Sequence, residues 1–160
     1  MTSINYLKGD ATAPSQKGPQ IIAHACNDLG GWGKGFVLAL SKRFSEPEHA
    51  FRGWHRERAN NDFGLGAAQL VEVGRDLWVA NMIGQHGKMH KGYTGPPPVR
   101  YEAIGNALSR VGDWAVEYGA SVHMPRIGAG LAGGKWERIE PLIISALCER
   151  DVAVWVYDFE

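Results

Sequence analysis

The sequence predicts an α/β fold with a mixed central sheet and helices packed on both of its faces. Two observations carry that prediction. Short apolar runs, from Gln20 to Cys26, Ala68 to Val73, Asp76 to Ile83, Ala120 to Pro125 and Val152 to Asp158, alternate with segments whose apolar residues recur every three or four positions. Two of those runs also lead straight into glycine-rich turns, Asn27 to Gly35 and Arg126 to Gly134, and each turn opens a helical pattern.

Taken in order, Asn5 to Lys8 reads as a short first strand that ends at Gly9-Asp10-Ala11-Thr12. There Asp10 either caps a turn or offers a carboxylate to the exocyclic amine of a base. The apolar strand from Gln20 runs into Asn27-Asp-Leu-Gly-Gly-Trp-Gly-Lys-Gly35, then into a helix carrying Phe36, Val37, Leu40 and Phe44. From Ser45 to Asp62 the chain is polar and aromatic. It predicts a short helix whose Arg56-Glu-Arg58 lies on a solvated face. Two strands joined by a turn at Gly74-Arg75 follow, and the second, almost continuously apolar, belongs inside the sheet. Gly84 to Pro98 is too long for a simple connector, so it either covers a site or lacks order. Its His86 and His90 read as loop histidines, because no third ligand of suitable type is near in sequence. Tyr101, Ile104, Leu108, Val111, Ala115 and Tyr118 mark a long helix stopped by Gly119. A last helix starts at Trp136, where Pro141 is best accommodated in the first turn.

One domain is expected over residues 1–160, with one sizeable core. Seventeen basic residues balance seventeen acidic ones, so net charge recruits neither nucleic acid nor an anionic membrane over long range, and no basic patch is evident. Any anion must be held by local geometry. No apolar run approaches a membrane span and the amino terminus lacks a signal-peptide pattern, so a cytoplasmic monomer is expected. Cys26 and Cys148 lie in apolar segments without metal-ligand spacing, which predicts buried thiols and no bound metal.

The two glycine turns carry the chemistry. Gly128, Gly130, Gly133 and Gly134 allow positive φ and close approach of backbone amides to a ligand, and each following helix adds its positive end. A tight packing turn would use the same glycines, but two such units in one domain fit two clamps around one diphosphate. Neither loop has the Gly-Lys-Ser/Thr of a P-loop, nor Gly-x-Gly-x-x-Gly with an acidic residue closing the next strand. A P-loop hydrolase and a Rossmann dehydrogenase are therefore disfavoured.

Gly9-Asp-Ala-Thr12, His24-Ala-Cys-Asn27 leading to Gly33-Lys-Gly35, Pro125-Arg-Ile-Gly-Ala-Gly-Leu131 before Trp136, and Val156-Tyr-Asp158 together resemble the macrodomain family, in order and over essentially the whole chain. The resemblance is strongest to the terminal ADP-ribose glycohydrolase branch and its bacterial relatives, often labelled ADP-ribose-1″-phosphate processing proteins. It implies a three-layer α/β/α domain with ADP-ribose as ligand and product, and no cofactor. By position it implies that Gly9, Asp10 and Ala11 meet the adenine, with Tyr157 and Asp158 supporting it and its ribose. Gly33, Lys34, Gly35 and Phe36 would hold the diphosphate from one side, and Arg126, Ile127, Gly128, Ala129, Gly130 and Leu131 from the other.

The lysine and aspartate that the branch uses in catalysis have no counterpart here. Their places fall to Gly84 or Gln85 and to Ala132, so a covalent lysyl intermediate is not expected. Asn27, Asp28 and Gln85 are then the candidate catalytic residues: Asp28 binds a ribose hydroxyl or serves as base unless it caps the helix start, and Gln85 positions water. The implied activity is release of ADP-ribose from modified acidic side chains of ADP-ribosylated proteins. A reader module without turnover, and an enzyme for ADP-ribose-1″-phosphate or for ADP-ribosylated nucleic acid, are the alternatives.

Overall fold

The computed structural model describes residues 1–159, and of Leu131 the backbone alone. Six strands form one sheet in the order β1-β6-β5-β2-β4-β3: β1 (Ile4–Lys8), β2 (Gln20–Asn27), β3 (Ala68–Gly74), β4 (Leu77–Gln85), β5 (Ser121–Met124) and β6 (Val154–Asp158). All neighbours are parallel except β3 with β4. That exception has a local cause. Only Arg75 and Asp76 join the two strands, with Asp76 at φ 55°, and a turn so short can only return antiparallel.

Alternation along the strands builds the two other layers. On β2, Ile21 and Ala23 enter a core with α3 (Tyr101–Tyr118) and α4 (Trp136–Ala146), while Ile22 and Cys26 enter a core with α1 (Phe36–Arg43) and α2 (Glu46–Arg56). On β4, Ala80 and Met82 take the first side, Val79 and Ile83 the second. The fold is thus the expected three-layer α/β/α arrangement with a mixed sheet.

Helix α3 stops where the sequence says it must. Gly119 adopts φ 62°, which turns the Ala120 N–H back to the Ala115 carbonyl at 2.8 Å and closes a Schellman motif. Pro141 departs from expectation, since it lies inside α4 beyond the first turn. The carbonyl that loses its donor is that of Glu137, an exposed residue that water can serve. No helix among the described residues is long and apolar enough to cross a membrane.

The five parallel strands end at one rim. Along it lie, in order, Gly9 and Asp10 after β1, Asp158 on β6, the Arg126 loop after β5, the Asn27 loop after β2, and Gln85 and His86 at the end of β4. At about 4.8 Å per strand, this row is about 19 Å long. It suits an extended ligand, and crevices at carboxyl ends are where open α/β sheets bind.

Candidate functional site

At the β1 end, Asp10 Oδ1 accepts from the Thr12 amide at 2.8 Å and the Thr12 hydroxyl at 2.6 Å, and Oδ2 accepts from Arg43 at 3.1 Å. Burial alone would raise the Asp10 pKa, but these hydrogen bonds outweigh it and hold the carboxyl below its ordinary value. A carboxylate offers about four acceptor sites, so after three bonds one stays open to a ligand amine. Asp10 therefore caps the turn and keeps an acceptor as well. Ala11 behind it is buried, and the Gly9 amide donates to the Asp158 carbonyl at 2.9 Å.

Asp158 receives Arg126 in a two-pronged ion pair, Nε to Oδ1 at 2.6 Å and the terminal nitrogen to Oδ2 at 3.1 Å, which lowers its pKa. The Arg126 guanidinium is itself held between Tyr6 and Trp136, 5.1 Å from each ring centre. Tyr157 is buried, and its hydroxyl bonds His123 Nδ1 at 2.7 Å, while His123 Nε2 bonds Ser121 Oγ at 2.8 Å. The hydroxyl is thus committed inward, and the ring lies under Gly9, 3.5 Å from where a Cβ would sit.

The two glycine loops occupy the middle. Asn27 organises the first: its Oδ1 accepts the amides of Leu29 at 2.9 Å and Gly31 at 3.0 Å, and its Nδ2 donates to the Gly31 carbonyl at 3.3 Å. Trp32 is buried beneath, with its indole N–H on Ser41 Oγ at 2.7 Å. Pinned at both points, the loop leaves Gly33, Lys34 and Gly35 exposed, and their amides donate to no acceptor among the described residues. Gly35, at φ 81°, then opens α1 beneath Phe36.

In the second loop Gly128 has φ 73° and Gly130 φ 67°, and the Gly134 amide closes the turn on the Gly128 carbonyl at 2.7 Å. The amides of Ile127 and Gly128 likewise have no acceptor among the described residues, whereas that of Ala129 bonds the Arg126 carbonyl at 3.3 Å. The Leu131 side chain lies outside the described part. Because β2 and β5 are neighbours, both sets of free amides sit at the middle of the rim, a local positive field in a chain of zero net charge.

At the β4 end Asp28 is no helix cap, since α1 begins at Phe36 behind Gly35. Its amide donates to the Gln85 carbonyl at 3.1 Å, its Oδ1 accepts the Gly87 amide at 2.8 Å, and its Oδ2 meets His86 Nδ1 at 2.6 Å. The Asp28 side chain is 17% exposed and that of His86 62%, so the pair presents an imidazole to solvent over a shielded carboxylate. Gln85, the last residue of β4, donates weakly to the Gly87 carbonyl at 3.4 Å. Ala132, where the resemblance expects an aspartate, is buried in the core cluster.

The candidates thus share one rim. Sequence reading gave no site role to Thr12, Arg43, His123, Trp136 and His86, although Thr12 and Trp136 stood in the motifs that carry the resemblance and His86 was read as a loop histidine. It also missed a basic depression of 350 Å³ around Gly30, lined by Arg52, His55, Arg56 and Arg58, so a basic patch does exist. A larger depression of 460 Å³ lies by Pro19, Ser121 and Trp155, at the opposite end of the sheet, away from both glycine loops.

A doubly covered α/β sheet with two adjacent glycine loops at its carboxyl rim defines an open α/β domain with its crevice where such sheets place ligands. No family model matches the sequence. Among solved structures, a macrodomain protein from Streptomyces coelicolor is 62% identical, with 98% of this chain and 99% of that one covered and a TM-score of 0.86. The chain belongs to the macrodomain family. It is 32% identical to the mouse chromodomain-helicase-DNA-binding protein 1-like over 99% of its own length, but spans 18% of that protein. An ADP-ribose 1″-phosphate phosphatase of Meyerozyma guilliermondii is 25% identical, over 89% of this chain and 93% of its own.

Proposed function

We propose that the chain binds ADP-ribose along the carboxyl rim and hydrolyses mono-ADP-ribosyl groups from acidic side chains of proteins, releasing ADP-ribose. The observation that carries this reading is the pair of adjacent glycine loops whose amides at Gly33, Lys34, Gly35, Ile127 and Gly128 lack acceptors among the described residues. A diphosphate supplies those acceptors. With the diphosphate at β2 and β5, the adenine reaches Asp10 and the ring of Tyr157, and the distal ribose reaches Asn27, Asp28, Gln85 and His86. Fixing both ends supplies much of the rate, because the attacking water meets a held anomeric carbon. Asp28 fixes the His86 ring through Nδ1, which leaves Nε2 to take the proton of that water. Gln85 orients the water or the leaving acyl group.

A second reading is favoured by the name of the yeast relative: the group removed at the same carbon is a 1″-phosphate. The experiment incubates the protein with a glutamate-linked mono-ADP-ribosylated protein and, separately, with ADP-ribose-1″-phosphate, and measures ADP-ribose formed. Asp28→Ala is expected to slow release by about 10²-fold or more while ADP-ribose affinity stays within a few-fold. Tight calorimetric binding without release from either substrate would leave a reader module and sink the hydrolase reading.

A further inference from the structure

Behind the Asn27 loop, on the side that faces α2, three arginines and a histidine converge on Gly30. Arg52, His55 and Arg56 stand three and four residues apart on α2 and so share one helix face, and Arg58 follows in a short 3-10 turn. Gly30 admits the His55 ring because it has no side chain: at φ 75°, a Cβ there would lie 2.5 Å from His55 Nδ1. Arg52 is tied down, to Glu48 at 2.9 Å and to the Gly30 carbonyl at 3.2 Å. Arg58 donates to the His55 carbonyl at 3.0 Å. Neither Arg56 nor Arg58 forms an ion pair among the described residues.

Helix-end electrostatics account for part of this cluster, since His55 and Arg56 fall in the last turn of α2, where the dipole favours positive charge. They do not account for Arg58, which lies past the helix end, nor for the shared concavity. The His55 pKa is held down first by burial and then by the charge of Arg58, so the ring adds a neutral donor or acceptor to the depression and the arginines supply its charge.

The geometry points to a phosphate-binding subsite in this depression, with Arg56 and the remaining N–H groups of Arg58 as its donors and the Gly30 loop as its wall. Guanidinium forks match the oxygens of a phosphate in a way that isolated ammonium groups do not. An occupant would press directly on the loop whose other side carries Gly33 to Gly35. Anion binding here stands without the ADP-ribose reading, and only its bearing on turnover rests on that reading. The phosphate comes either free, as inorganic phosphate or a monoester, or as part of a phosphodiester chain to which an ADP-ribosyl group is attached.

The test is an amide NMR titration of the full chain at low ionic strength, once with inorganic phosphate and once with a short single-stranded oligonucleotide bearing no ADP-ribose. Saturable shifts at Gly30 and His55 are expected from at least one of them. Phosphate alone identifies the free source, and the oligonucleotide alone the phosphodiester. In the double variant Arg56→Glu, Arg58→Glu the affinity should fall at least tenfold, with ADP-ribose affinity by calorimetry and melting temperature unchanged, and the neutral pair Arg56→Ala, Arg58→Ala should fall between. No saturation by either probe, or variants that bind like the parent, would overturn the subsite. Phosphate saturation in a protein that fails to bind ADP-ribose would overturn the rim reading and leave this one standing.

Discussion

His24 and His123 are buried on β2 and β5, and both carry pKa values pushed down to about 4, chiefly by burial. His24 also donates Nε2–H to Asn81 Oδ1 at 2.5 Å, while Asn81 in turn donates to the Pro47 carbonyl and to Gln69, so the network is complete with a neutral ring. In the unfolded chain both histidines titrate near 6.5. Between about pH 6.5 and 4 the unfolded state therefore binds protons that the folded state refuses, and stability falls as pH falls. Each shift is worth on the order of 3 kcal/mol at its limit. The carboxylates of Asp10 and Asp158 titrate below that window, because Thr12 and Arg43 hold the first down against burial and Arg126 the second. Urea midpoints at pH 7.5 and 4.5 test this: a clear drop is expected, and equal midpoints would mean that the two rings are hydrated. Single residues were the least legible scale in the sequence. Asp28 and His86 are brought together by the pairing of β2 with β4 across a wide gap in sequence, which no local pattern encodes.

Elements were far more legible, because their signals are local. The end of α3 at Gly119 and the start of α1 after Gly35 both follow from glycines that take positive φ. The role of a given glycine is less readable, as Gly33 and Gly128 show. Composition makes both look like phosphate-facing positions, and a carboxylate at Gly128 would then repel a ligand. The structure instead turns the missing Cβ of Gly128 toward the core, 2.8 Å from Ile139 Cδ1 and 3.2 Å from Val99 Cγ2, whereas nothing lies within 4 Å of a Cβ at Gly33. Gly128→Glu is therefore expected to fail by unfolding, with strain at positive φ and an ion forced toward a closed core. Gly33→Glu should keep the melting temperature within a degree or two and weaken ADP-ribose by at least tenfold, since it puts a negative charge among the free amides. Calorimetry beside thermal melts separates the two. Unchanged affinity in Gly33→Glu would refute the clamp on the β2 side.

For the whole molecule, net charge misled where topology did not. A chain with equal numbers of cations and anions still gathers guanidiniums at Gly30 and unpaired amides at the rim, because folding separates what composition sums. The same topology sets up the last expectation. The rim residues come from five strands; the proposed pose puts the base end on β1 and β6 and the distal-ribose end on β2 and β4, so a ligand that runs the full row ties both halves of the sheet together. A ligand present at 100 times its Kd stabilises a fold by about 2.7 kcal/mol, which in a chain of this size is a rise of roughly 5–10 °C in Tm. AMP would occupy only the β1, β6 and β5 portion. At equal concentrations ADP-ribose should therefore raise the Tm well above the value reached with AMP, and hydrogen exchange at Asp28 to Gly35 should slow with ADP-ribose alone. Equal melting shifts, with no added protection in that loop, would place the ligand entirely at the β1 end and remove the distal ribose from Asn27, Asp28 and Gln85.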